Sequence, residues 1–166
     1  WDSMSRGNVS FDRNNHQEKC GELTIKTYEY SQYFSKITNF QSYFKANMEL
    51  LNSENAKCLY PPRKPIYTKV SDNAPAKYDL DCSVKNSMVA DGCIIEGEVE
   101  NSILFRGVKV GKGAKVKNCI LMQGTEVGDN AEINYLITDK NVKISEKHIL
   151  TSAESYPMYV GKGASV

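Results

Sequence analysis

The sequence has almost no net charge, few histidines and no long apolar run. Its 21 Lys and Arg residues balance 20 Asp and Glu residues, for a formal charge of +1. Nucleic-acid footprints and anionic membrane surfaces are therefore not expected, because both need a clustered basic excess. No segment approaches the ~18 apolar residues of a membrane span, and no charged-then-apolar leader opens the chain. We expect a cytoplasmic protein.

Histidine and cysteine are too few or too irregularly spaced for common metal centres and disulfide frameworks. Two histidines exclude a three-histidine site, and the five cysteines include no Cys-x-x-Cys pair. An odd cysteine count favours reduced thiols over a disulfide framework. We expect Cys82, Cys93 and Cys119 to pack as small hydrophobic side chains. The remaining cysteines are Cys20 and Cys58.

The chain contains an internal repeat. Residues 99–115 (VENSILFRGVKVGKGAK) and residues 116–132 (VKNCILMQGTEVGDNAE) are identical at eight of seventeen positions. A third copy begins at residue 133, and a fourth, two residues shorter, begins at residue 84. Each copy starts on an aliphatic residue, and a second one follows eleven residues later. This regularity indicates a repeat architecture. The second aliphatic residues are Ile95, Val110, Val127 and Ile144.

An aliphatic residue recurs every six residues within the repeat, as from Val110 to Val116. Amphipathic helices have spacings of three and four, and alternating strands a spacing of two. A six-residue period favours a mainly β protein built as a left-handed parallel β-helix, with about four coils over residues 82–166. Corners are expected where positive φ costs Gly and Asn least. These corner residues are Gly107, Gly111, Gly124, Gly128 and Asn141.

The upstream part has a different pattern. Residues 39–51 have helical apolar spacing with Asn39 as N-cap, and residues 23–30 alternate as a half-buried strand. A lone strand and helix do not make a domain, so residues 20–52 are interpreted as the C-terminal remnant of a larger one. Residues 53–81, with Tyr60-Pro-Pro-Arg-Lys-Pro-Ile, are interpreted as a proline-stiffened linker. Residues 1–19 are an unpatterned tail.

Four segments carry a family resemblance. They are YEYSQYFSKITNFQSYFKANMELL (28–51), PIYTK (65–69), PAKY (75–78) and NSMVADGCIIEGEVENSILFRGVKVGKGAKVKNCILMQGTEVG (86–128). The first resembles the end of the α/β nucleotidyltransferase domain of bacterial ADP-glucose pyrophosphorylases, also called glucose-1-phosphate adenylyltransferases. The others resemble the linker and β-helix of those enzymes. The resemblance covers about residues 20–166. Four aromatic residues of the remnant are then expected to pack on the rest of the domain: Tyr30, Phe40, Tyr43 and Phe44.

Two departures from the family pattern imply a regulatory member. Catalytic members have Tyr-Trp-x-Asp-Val-Gly-Thr before the helix, and its Asp helps to hold magnesium. Aligned on Tyr33, this chain has Lys36 in that place, and an ammonium group cannot ligate Mg²⁺. No segment resembles the family's Gly-rich phosphate loop, since Gly111-Lys112-Gly113 lies in phase with the β-helix repeat. The resemblance implies a GlgD-type regulatory subunit that is inactive alone. Alternatively, Lys36 is an exposed substitution in a differently aligned loop.

The resemblance also implies partners and an effector. The family forms tetramers through β-helix contacts, so association with a catalytic subunit, with itself, or both is expected. Mg²⁺ is expected only in the catalytic partner, and this chain is assigned no catalytic residue, metal or cofactor. Phosphorylated metabolites regulate the family, and phosphate prefers charge-assisted donors. The basic residues best placed by resemblance are Arg63, Lys64, Lys69 and Lys162. Each is alternatively a solvated surface cation.

Two other functions remain open. Hexapeptide acyltransferases share the β-helix and deprotonate their acceptor with a histidine at a coil edge. Here His148 follows the last clear repeat and His16 lies in the tail, neither on a loop between coils. The second of these alternatives is a purely structural oligomerisation module.

Overall fold

The computed structural model describes residues 21, 24, 26–63, 65–70 and 72–166. The chain divides into two units, Trp1–Gln32 and Tyr33–Val166. In the first unit, the described residues lie in no helix or strand. The strand predicted over residues 23–30 is therefore wrong at residues 24 and 26–30. An alternating segment needs a neighbouring strand to satisfy its main-chain groups, and alternation alone does not supply one.

The second unit contains a parallel β-helix of fifteen short strands. Three parallel sheets have five strands each: face A is β1-β4-β7-β10-β13, face B is β2-β5-β8-β11-β14, and face C is β3-β6-β9-β12-β15. This confirms the predicted hexapeptide β-helix. The strands are β1 (Lys77–Tyr78), β2 (Ser83–Lys85), β3 (Met88–Val89), β4 (Ile94–Ile95), β5 (Glu98–Glu100), β6 (Ile103–Leu104), β7 (Lys109–Val110), β8 (Lys115–Lys117), β9 (Ile120–Leu121), β10 (Glu126–Val127), β11 (Glu132–Asn134), β12 (Leu136–Thr138), β13 (Lys143–Ile144), β14 (Ile149–Thr151) and β15 (Met158–Val160).

The repeated aliphatic residues stack in register along the interior. On face A, Ile95 pairs with Val110, and Val110 with Val127. On face B, Val99 pairs with Val116, which is fully buried. Because each residue lies directly above its equivalent in the previous coil, one six-residue pattern forms a continuous core. Each buried Val, Leu or Ile contributes about 1.5–3 kcal/mol from burial.

At each of the three corners of the β-helix, residues at equivalent positions of successive coils have positive φ. Gly107 and Gly124 (φ +69° and +68°) and Asn141 (φ +58°) take the corner between faces C and A, as predicted. Gly111 and Gly128 do not have positive φ, so their predicted reason is wrong. They are required to be small, since a Cβ atom on Gly128 would lie 2.6 Å from the Glu146 main-chain nitrogen. The copy that begins at residue 84 is two residues shorter at the corner between faces A and B, where only Glu96 and Gly97 separate β4 from β5.

The outward rows differ between faces. Faces A and B carry opposite charges in successive coils, with Lys109 2.9 Å from Glu126 and Lys115 2.8 Å from Glu132. Face C carries an apolar outward row instead, in which Ile103, Ile120 and Ile137 are in register. Since neighbouring residues of a strand point to opposite sides, face C has apolar side chains both inside and outside. It therefore needs a covering element.

Helix α1 (Phe40–Met48) covers part of face C. It is capped as predicted: the Asn39 side chain accepts from the Ser42 amide, and the Ser42 side chain accepts from the Asn39 amide. Phe44, only 4% exposed, packs on Ile120 and Ile137. The expectation that Phe44 packs on another part of a larger domain is therefore wrong, because the apolar outward row of the β-helix takes that place.

The segment expected to be a linker has regular structure at both ends. A 3-10 turn (Glu49–Leu51) follows α1, and helix α2 (Ser53–Leu59) has Asn52 as its N-cap. Residues 61–63, 65–70 and 72–76 contain no helix or strand. Strand β1 (Lys77–Tyr78) already pairs with β4, so the β-helix begins before residue 82.

We predict that substitution by asparagine affects stability differently at the corner glycines with positive φ and at those in close contact with the next coil. Gly107→Asn should change the free energy of unfolding by less than about 1 kcal/mol, because asparagine tolerates positive φ and the site is open. Gly128→Asn should cost about 1–3 kcal/mol or more, because the new side chain meets main-chain atoms of the next coil. Thermal or denaturant unfolding measures both. Equal losses would contradict this assignment.

Candidate functional site

The predicted effector residue Lys69 is tied to the β-helix through its main chain. Arg106 donates from Nη1 to the Lys69 carbonyl oxygen at 2.9 Å and from Nε to Asp91 Oδ1 at 3.1 Å. Asn73 donates to Asp91 Oδ2 at 3.0 Å. Desolvation acts to raise the pKa of Asp91, but hydrogen bonds from Asn73, its own main chain and Arg106 outweigh it and lower that pKa. The ionised carboxylate therefore orients Arg106 toward the linker.

Arg106 belongs to a column of residues at the corner between faces C and A. The residue that follows each column residue donates its main-chain N–H to the carbonyl oxygen of the column residue one coil below, at 2.9–3.1 Å; Gly107, which follows Arg106, donates to Asp91 in this way. Each residue of the column therefore lies directly above the last. The C–A column consists of Asp91, Arg106, Gln123, Lys140 and Lys162.

The C–A column is basic at its upper end. Lys140 and Lys162 are exposed and lie in adjacent coils, whereas Arg106 lies three coils from Lys162, about 14 Å at ~4.8 Å per coil. The Asp139 carboxylate beside them accepts from the Lys140 amide at 2.7 Å and from the Tyr159 hydroxyl at 3.2 Å. The two exposed ammonium groups of this end are those of Lys140 and Lys162.

The sequence analysis named Lys162 and Lys69 as candidate effector residues and did not name Lys140 or Arg106, which the structure places in the same column as Lys162. The missed signal is the position before each corner residue: Arg106 precedes Gly107, and Lys140 precedes Asn141. Among the other predicted residues, Arg63 is exposed in a turn after α2, and Lys64 lies outside the described residues. Lys36 is exposed. Within the described parts, no hydrogen bond or ion pair joins Arg63 or Lys36 to the C–A column.

An apolar patch lies where α1 begins, next to the last coil. The Phe40 and Tyr159 rings are stacked with centroids 5.3 Å apart and planes inclined by 28°. Phe40 remains 58% exposed, Ile37 57% and Tyr156 81%. A groove of about 440 Å³ runs between Ile37, Phe40, Met122 and Tyr159. We call Ile37, Phe40, Tyr156 and Tyr159 the Phe40 patch. Exposed apolar clusters of this kind are typical of contact surfaces.

The cysteines and His148 have structural positions. Cys93 and Cys119 are fully buried in the β-helix core, as predicted, and Cys82 is partly buried against it. Burial raises the pKa of Cys119 to about 12, which keeps its thiol protonated. His148 takes the position that Ala131 has one coil earlier, and its carbonyl accepts from Glu132 at 2.9 Å. It therefore lies inside the repeat, which corrects the prediction that it follows the repeat.

Among the residues that the structure describes, no group of three or more His, Cys, Asp or Glu side chains could hold a metal ion. No helix in the same residues is long and apolar enough to cross a membrane.

The sequence is similar to three kinds of known protein. Residues 73–153 match the family described as GlmU-like, C-terminal hexapeptide. The glycogen biosynthesis protein GlgD of Bacillus subtilis (strain 168) is 50% identical over 147 residues, which cover 89% of this chain and 43% of that protein. The GlgD protein of Geobacillus stearothermophilus is 56% identical over 71 residues, covering 43% of this chain and 21% of that protein.

The third similarity is to glucose-1-phosphate adenylyltransferases. The glucose-1-phosphate adenylyltransferase of Clostridium perfringens (strain 13 / Type A) is 40% identical over 90 residues, 54% of this chain and 23% of that protein. The chain spans less than half the length of these relatives. Together these matches confirm the predicted resemblance to GlgD proteins and to bacterial glucose-1-phosphate adenylyltransferases.

We predict that thiol reagents distinguish the cysteines by burial. At pH 8, iodoacetamide should modify the exposed Cys58 and leave Cys93 and Cys119 unmodified, because the raised pKa values of both buried thiols suppress the thiolate. Peptide mapping by mass spectrometry measures this, and denaturant provides the control in which all three react. Rapid modification of Cys119 in the folded protein would contradict the structure.

Proposed function

We propose that this relative of GlgD-type proteins is the β-helix region of a regulatory, non-catalytic subunit of glucose-1-phosphate adenylyltransferase. The parent enzyme converts ATP and glucose 1-phosphate to ADP-glucose and pyrophosphate for glycogen synthesis. The observation that carries the proposal is the 50% identity to GlgD over 89% of this chain. In this role the chain serves assembly and allosteric control.

The proposed absence of catalysis is supported by the charge at one position. Lys36 stands where the family pattern has a magnesium-binding Asp, and its ammonium group is exposed. A positive group at that place repels the metal instead of binding it. Adenylyl transfer, with its Mg²⁺, is therefore assigned to a catalytic partner chain.

The Phe40 patch supports an assembly role. It continues the apolar face C beyond the part that α1 covers, and it combines two stacked rings with an exposed Ile37. Faces A and B expose alternating charges, which favour solvent contact over an apolar interface. We assign the patch to contact with the catalytic adenylyltransferase chain; contact between two copies of this chain is the alternative that the test separates.

The C–A column supports an effector role. Lys140 and Lys162 present two ammonium groups from adjacent coils, which suits a phosphate group. At its lower end the same column holds the linker through Arg106 and the Lys69 carbonyl. A phosphorylated effector bound at the upper end would therefore contact the same column of residues that holds the linker at its lower end.

We predict that the Phe40 patch carries association. Phe40→Lys should weaken binding to the glucose-1-phosphate adenylyltransferase of the same organism at least tenfold, because an ammonium group would be buried in an apolar contact. Ile149→Lys is the matched control, since Ile149 is 67% exposed on face B; it should change binding less than twofold. Pull-down and light scattering measure the two contacts. Equal effects of both variants, or loss of self-association alone, would contradict the assignment.

We predict that Lys162→Ala and Lys140→Ala raise the activation constant of a phosphorylated effector in the two-subunit enzyme several-fold. Each removes one of two adjacent cations facing the phosphate. Arg63→Ala is tested beside them, and Lys112→Ala, at the corner between faces A and B, is the control. The readout is pyrophosphate release against effector concentration. Unchanged activation constants and maximal stimulation would remove these residues from the site.

A further inference from the structure

A groove of about 700 Å³, lined by both polar and apolar side chains, lies between α1 and the corner between faces B and C. Three asparagines at equivalent positions in successive coils form one wall: Asn86, Asn101 and Asn118, with φ of +43°, +46° and +49°. Met48 and Glu49 lie on the opposite side. At ~4.8 Å per coil, the three amides span about 10 Å, which is long enough for a linear ligand of repeating units.

The amides of this wall are only partly paired. Asn86 Nδ2 donates to Asn101 Oδ1 at 2.7 Å, and Asn118 Nδ2 donates to Asn134 Oδ1 at 3.0 Å. Asn101 Nδ2, Asn86 Oδ1 and Asn118 Oδ1 have no partner among the described residues, which leaves one donor group and two acceptors on residues that line the groove. The main-chain N–H groups of Asn101 and Asn118 already donate to the coil below. A ligand would therefore meet side-chain amides and no open strand edge.

The fourth coil breaks the asparagine series. Tyr135 takes the same corner position with φ of +53°, a conformation that a bulky residue rarely adopts. Its ring lines the groove, tilted by 53° against Phe44 with centroids 6.0 Å apart. An asparagine there would avoid the backbone strain. Strained backbone conformations cluster at functional sites, and here the strained residue packs on the Phe44 cluster and places an aromatic ring beside the amides.

We propose that this groove binds a neutral oligosaccharide. Each hydroxyl both donates and accepts, as each amide does, and the Tyr135 ring offers an apolar surface to the face of a sugar ring. The charged side chains of the groove are Lys45, Glu49 and Glu154, a net negative set that disfavours phosphate. The groove therefore differs in ligand class from the basic C–A column. This inference is independent of the proposed function, since it rests on groove residues alone.

The test uses the ¹⁵N-labelled 166-residue chain with maltohexaose, cellohexaose and xylohexaose as neutral probes and glucose 1-phosphate as the anionic probe. We expect at least one neutral probe to shift the side-chain amide signals of Asn101 and Asn118 in a saturable manner. Asn101→Gly keeps the left-handed backbone accessible while removing the amide. Tyr135→Asn restores the residue type of the earlier coils while removing the ring. Each variant should weaken binding at least tenfold with folding retained in a thermal melt.

Asn141→Gly is the matched control, since Asn141 has φ of +58° at the corner between faces C and A, outside the groove. It should change the affinity for the neutral probe less than twofold. The proposal is overturned if none of the three oligosaccharides shifts the groove amides. It is also overturned if glucose 1-phosphate binds there more tightly, or if both groove variants bind as the unaltered chain does.

Discussion

The fold depends on in-register stacking of one coil on the next. Every interior aliphatic residue lies above its equivalent, as Val110 lies between Ile95 and Val127. Stacking requires each coil to turn three times within about seventeen residues, which left-handed corners and small glycines permit. The corner residues therefore fix the path of the main chain, and the aliphatic residues stabilise it through burial. One consequence is that surface residues at equivalent positions also form columns, whether or not they contribute to stability.

These columns give the three sides of the β-helix different chemistry. On faces A and B, successive coils place opposite charges beside each other, and exposed pairs of this kind contribute little to stability. On face C, the outward column is aliphatic and binds α1 through Phe44. The groove of the asparagine corner and the Phe40 patch both exist because α1 covers only part of that face. The placement of a single helix thus creates two distinct surfaces.

The C–A column connects two regions that are distant in sequence. Arg106 reaches back thirty-seven positions to the Lys69 carbonyl, while Lys162 continues the same column in the last coil. A β-helix suits this connection, because each coil contacts its neighbours over its whole length. Main-chain hydrogen bonds between successive coils, and not a flexible loop, connect the two ends of the column.

The sequence alone determined the β-helix, the in-register aliphatic columns, the capped helix after Asn39 and the burial of Cys93 and Cys119, since all follow from local spacing. It also contained the Ile-Leu pairs of β6 and β9, whose two adjacent apolar residues indicate burial on both sides of a strand. Only the tertiary structure decided that Phe44 packs on face C, that Arg106 holds the linker, and that Lys140 adjoins Lys162. These contacts join residues twenty-two to ninety-three positions apart, or depend on which corner each residue occupies. Spacing within one copy can show that an outward row is apolar, but it does not show which element covers that row or which residues of distant coils meet there, so the surfaces had to come from the folded chain.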